Sequence, residues 1–144
     1  MNRPSLNIRI PSSCLETTKI FERPSTEYII YQINAENELH ASKVGHSFSL
    51  DAFLSDLPKD QCRYALRKIS YMNPDTGTPM HKNVFYSWSP GGATETSQEL
   101  YSEARERVLL GDVFKEYFEE TVEAHDYDLI RDNDLLNRHR EWSP

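Results

Sequence analysis

The chain reads as a layered α/β protein, a mixed sheet covered on both sides by helices. Three observations predict this. Two pairs of short extended segments, "EYIIYQI" with "ELHASKV" and "CRYALRKISYM" with "KNVFYSWSP", each flank a turn-forming stretch and read as hairpins. Segments of helical periodicity stand before, between and after those hairpins. Finally, "EYIIYQI" is apolar enough for burial on both faces, as a central strand between two helical layers must be.

Each element has its own local reason. In "IPSSCLETTKIFERP", Ser12 or Ser13 is expected to cap a first helix that sets Cys14, Thr17 or Thr18 and Phe21 on one face and stops at Pro24. "NAEN" is the turn of the first hairpin. "SFSLDAFLSDLP" is a short second helix capped by Ser49, burying Leu50, Phe53, Leu54 and Leu57 and ending before Pro58. The loop "NPDTGTP" joins the second pair of strands, which alternate aromatic and β-branched residues. A tight glycine turn follows Trp88, and from Thr94 to Leu110 the positions Leu100, Tyr101, Ala104 and Val108 recur at helical steps, a stripe that should lie on the sheet. After Gly111, "VFKEYFEETV" reads equally as a strand or a poorly capped helix. "DYDLIRDNDLLNRHREW" then supplies Leu129, Ile130, Leu135 and Leu136 to a closing helix.

A length of 144 residues fits one domain, 1–144, that buries most of its apolar surface without a covalent staple. Cys14 and Cys62 have no paired spacing and read as reduced, small apolar residues in a cytosolic protein. Neither secretion nor membrane insertion is expected. The net charge of -7 argues against sequence-independent nucleic-acid binding, which needs a basic surface. All of that imbalance sits between Asp112 and Asp134, where nine acids face only Lys115 and Arg131. Such a run is expected to be a solvated face.

Signs of catalysis are weak. His40, His46, His81, His125 and His139 show no ligand spacing, so no metal or other cofactor is expected. "SPGG" lacks the Lys-Ser/Thr ending of a phosphate loop and reads as a plain turn. No serine lies in a nucleophile elbow, and the carboxylates of the acidic run read as solvated rather than as an acid and base pair. The chain is therefore expected not to be an enzyme.

The block "SLDAFLSDLPKDQCRYAL", followed by "KNVFYSWSP" and "LYSEARERVLL", resembles the actin-depolymerising factor and cofilin family. There a short helix ending in Leu-Pro leads to a Cys-x-Tyr-Ala strand, and a strand ending Trp-Ser-Pro precedes the long helix. Here those features fall on Leu57, Pro58, Cys62, Tyr64, Ala65, Trp88, Ser89 and Pro90, in the family's order. The resemblance implies a single ADF-homology domain of cofilin/gelsolin-like architecture, a sheet of about five strands between helices, with residues 1–10 flexible. It implies a monomeric protein of the cytoplasm and cytoskeleton that binds actin monomers and filaments and severs or depolymerises the filaments.

The implied contacts fall on two surfaces. The long helix enters a cleft on actin with Thr96, Gln98, Glu99, Ser102, Arg105 and Glu106, assisted by the N-terminus, where Ser5 lies near a regulatory phosphorylated serine. Lys82, Arg131 and Arg138 belong to a second surface, near the fourth strand and last helix, that meets a neighbouring filament subunit. Departures thin this basic footprint. Thr96, Gln98 and Glu99 stand where the family shows an Arg-x-Lys-Met run, and Met80 and His81 stand beside Lys82 where another base is expected. Lost charge complementarity predicts weakened actin binding. The alternative is an interaction module on the same scaffold, its acidic Glu95, Glu99 and Glu103 turned to another partner such as the branch-nucleating complex of actin-related proteins, the target of glia maturation factors.

Overall fold

The computed structural model describes residues 8–73, 75–110 and 114–140. Its strands are β1 (Tyr28–Ile33), β2 (Leu39–Gly45), β3 (Arg63–Met72), β4 (Pro79–Trp88) and β5 (Glu120–Ala124). They form a five-stranded sheet in the order β2-β1-β3-β4-β5. Both expected hairpins are present and antiparallel, and β1 pairs antiparallel with β3. The β4–β5 pair is parallel, which makes the sheet mixed. Four helices accompany it: α1 (Ser12–Lys19), α2 (Leu50–Ser55), α3 (Glu95–Leu110) and α4 (Tyr127–Arg140).

β1 explains why helices lie on both faces. Alternation sends Ile29, Tyr31 and Ile33 into one core with Cys14 of α1 and Tyr101, Ala104 and Val108 of α3. Tyr28 and Ile30 point the other way, into a second core with Phe53, Leu54 and Leu57 at α2 and Ile130 of α4. Each large side chain buried this way contributes about 1.5–3 kcal/mol, so the strand stays between two helical layers. The Leu-Pro and Trp motifs meet at the second core: Trp88 Nε1 donates to Pro58 O at 2.6 Å, and Tyr127, packed on Trp88, donates to Leu57 O at 2.7 Å.

Local capping follows the sequence at Ser49, departs from it in the first helix, and adds Thr94 at the third. Ala52 N donates to Ser49 Oγ at 3.3 Å, and Ser97 N to Thr94 Oγ1 at 3.1 Å. The first helix is capped neither by Ser12 nor by Ser13, both of which are already inside it. Pro11 takes the cap position without a side-chain bond, and its carbonyl accepts from Cys14 N and Leu15 N. The helix ends in a 3-10 turn, Ile20–Glu22, after which Arg23 is extended, as the residue before a proline must be.

Three other expectations change. "VFKEYFEETV" resolves into a 3-10 turn, Phe114–Glu116, followed by β5, because only Glu120 to Ala124 reach a free edge of β4. The acidic run is not wholly solvated: Asp134 is buried, 2.9 Å from the buried Arg67. Leu135 does not join the core and is 55% exposed, since only Ile130 sits at the centre of the α4 contact. The side chain of Leu136 lies outside the described residues.

Candidate functional site

α3 is held against the sheet by hydrogen bonds as well as by packing. Ile33 N donates to Tyr101 Oη at 2.8 Å, and Tyr64 Oη donates to the Tyr101 carbonyl at 2.5 Å. Burial pushes both phenols up, so they stay neutral and keep these roles across ordinary pH. The preceding turn closes with Ala93 N on Pro90 O at 3.0 Å. It packs so tightly on the chain after α2 that a Cβ at Gly92 would come within 2.7 Å of Lys59 O. These contacts aim the start of α3.

With Tyr101, Ala104 and Val108 facing inward, Thr96, Glu99, Ser102 and Glu106 are exposed along the outer side. Gln98 and Arg105, seven residues apart, fall on the border of the apolar stripe and are half-buried. Gln98 Nε2 donates to Pro90 O at 3.2 Å and Ala93 O at 3.1 Å, which ties it to the turn. Arg105 Nε donates to Ser87 Oγ at 3.1 Å and lies 3.2 Å from Glu123 Oε1. A cleft of about 270 Å³ between α3, β4 and β5 contains both side chains. Beyond it, Glu95, Glu99 and Glu103 line a shallow depression with Ser89, Gln98 and Ser102.

The second group lies on the opposite face. Lys82 Nζ sits 3.7 Å from Glu120 Oε1, and Asn133 Nδ2 of α4 donates to Glu120 Oε2 at 3.0 Å. Arg131 is half exposed and reaches Asp51 of α2 at 3.2 Å. Met80, two positions before Lys82 on β4, shares its face and is exposed. Ser5 lies outside the described residues, and so does the side chain of Arg138, whose backbone belongs to α4. The remaining candidates thus divide between the two faces of the sheet, α3 on one and Lys82 with Arg131 on the other.

Sequence reasoning missed the residues that hold these cations. No local pattern marks Glu120, Glu123, Ser87 or Asn133. Among the described residues no three His, Cys, Asp or Glu side chains are placed to hold a metal ion, and no helix is long and apolar enough to cross a membrane.

α3 is thus a long helix locked to the sheet by one side, with a polar side uncovered. The chain matches the family of cofilin/tropomyosin-type actin-binding proteins over residues 7–140, and it belongs to that family. It is 30% identical over 106 residues to a cofilin of Mycosarcoma maydis, covering 72% of this chain and 76% of that protein. It is also 30% identical over 103 residues to a cofilin of Schizosaccharomyces pombe, covering 70% of this chain and 74% of that one. The crystal structure of a Streptomyces griseoflavus cofilin superposes with a TM-score of 0.77 at 25% identity, covering 91% of this chain and 96% of its own. The family is one of actin-binding proteins, not of enzymes.

Proposed function

We propose that this protein binds actin monomers and filaments and promotes filament depolymerisation or severing, with lower affinity than a family member carrying a full basic footprint. The observation that carries this reading is the division of α3: its inner half is fixed on the sheet, and Thr96, Glu99, Ser102 and Glu106 are exposed on the outside of the same helix. That side docks in a groove on actin. The surface around Lys82 and Arg131 reaches the next filament subunit. The protein acts as a monomer, as one domain, in the cytoplasm and at the cytoskeleton, and it needs no cofactor.

Weakening follows from charge. Glu95, Glu99 and Glu103 line the outer depression of α3, and Lys82 and Arg105 each lie beside a carboxylate. Like charges brought together across an interface cost affinity and slow encounter. Co-sedimentation with actin filaments at low and moderate salt tests the reading. Pelleting or monomer binding is expected, and absence of both at either salt removes it.

The acidic depression also favours a second reading, in which the same scaffold holds a basic surface on an actin-related protein of the branch-nucleating complex. A pull-down that recovers actin alone counts against it.

A further inference from the structure

β5 carries two carboxylates three residues apart, Glu120 and Glu123. Side chains of a strand alternate between faces, so a spacing of three sends the two in opposite directions. Ala124 is buried in the α2/α4 core and Val122 packs against it, which puts Glu120 on that face and Glu123 on the face of α3. Each meets a cation there. Glu120 Oε1 is 3.7 Å from Lys82 Nζ, and Glu123 Oε1 is 3.2 Å from Arg105 Nε. Lys82 and Arg105 are the candidate cations of β4 and α3, one for each of the two proposed actin surfaces. A single short edge strand therefore supplies a counter-ion to both.

Resting on the actin-binding reading, we propose that Glu120 and Glu123 are resident competitors of the partner. Lys82 and Arg105 are released only when a carboxylate of the docking protein replaces the β5 carboxylate, so β5 sets both the affinity and the choice of partner. An approaching surface without a carboxylate at the right place gains nothing from either cation. The two clamps differ in stiffness. Glu120 is 26% exposed and also anchored by Asn133 of α4 at 3.0 Å, whereas Glu123 is 70% exposed and swings away more easily. Arg105 keeps its bond to Ser87 Oγ when Glu123 leaves, so its guanidinium remains positioned for the incoming group.

Exchange of one ion pair for another has a signature in salt. Wild-type binding forms no net ion pair through these two cations, so they add little salt dependence. When the resident carboxylate is neutralised, docking forms a new pair, and binding becomes both tighter and steeper in salt. Glutamine is the suitable replacement, because Glu120→Gln keeps an acceptor for Asn133 and Glu123→Gln keeps the side-chain volume.

The test compares wild type, E120Q and E123Q in filament co-sedimentation between about 50 and 200 mM salt, with thermal unfolding as a check on the fold. Each variant is expected to bind filaments about two- to fivefold more tightly at low salt, with the gain shrinking as salt rises. Wild type that pellets while neither variant pellets better leaves the actin reading standing and overturns the clamp. Weaker pelleting by the variants overturns it as well, since the carboxylates would then be positioning groups. No pelleting by any of the three overturns the clamp, and the actin reading falls with it only if monomer binding is absent too.

Discussion

Arg67 and Asp134 form an ion pair at 2.9 Å with side chains only 2% and 8% exposed, joining the middle of β3 to α4 inside the second core. The Arg67 guanidinium also lies over the Phe53 ring and donates to Tyr86 Oη. Burial works to lower its pKa, but Tyr86 and Asp134 outweigh that and leave it shifted up, so Arg67 stays charged. Removing one member of such a pair strands the other in the core, which typically costs about 3–5 kcal/mol, whereas replacing both with apolar groups is often neutral.

Asp134→Ala is therefore expected to lower unfolding free energy by about 3 kcal/mol. The double variant Arg67→Met with Asp134→Leu should recover most of that loss. Urea unfolding of the two variants checks this, and a cost below about 1 kcal/mol for Asp134→Ala, the range of an exposed pair, would show that the pair does not hold α4.

Tyr101→Phe removes only the hydroxyl that accepts from Ile33 N. The buried amide loses its partner, at a cost of about 1–3 kcal/mol. The junction of α3 with β1 should loosen, seen as faster amide exchange at Ile33 and in the first turns of α3. Exchange rates equal to wild type would mean that packing alone fixes the helix.

Burial pushes the Cys14 thiol up from 9.0 to about 11. As pH rises past 9 the unfolded chain loses this proton first, so the stability present at lower pH declines through the window up to about 11. The contribution is on the order of 2–3 kcal/mol, at about 1.4 kcal/mol for each pKa unit. The buried tyrosines add to the alkaline decline in every variant. Cys14→Ala should show a shallower fall than wild type in denaturation curves across that window, and identical slopes would contradict the assignment.

What was legible in the sequence is what local pattern controls. The double-faced burial of β1 follows from "EYIIYQI", the cap of α2 from Ser49, and the inward stripe of α3 from Tyr101, Ala104 and Val108. Contacts between distant residues were not legible. Asp134 sits in an acidic run that reads as solvated, and its partner Arg67 is 67 positions away with no local signal to join them. β5 is a five-residue edge strand carrying two carboxylates, so its alternation is too short to separate from a helix. That ambiguity hid Glu120 and Glu123, and with them the fact that Lys82 and Arg105 already have counter-ions. Gln98 and Arg105 read as outward residues because periodicity cannot say how wide a buried stripe is at its border.

Glu99 is the sharpest probe of the docking surface, because it is exposed on the outer side of α3 among Glu95 and Glu103. Glu99→Lys reverses one charge at the point where α3 is proposed to enter actin, without touching the inward stripe. Affinity for actin filaments and for monomers, measured for Glu99→Lys beside wild type at low salt, should rise several-fold, on the scale of about 1 kcal/mol, and the gain should fade as salt increases. Unchanged or weaker binding of both actin forms would contradict docking through this face of α3.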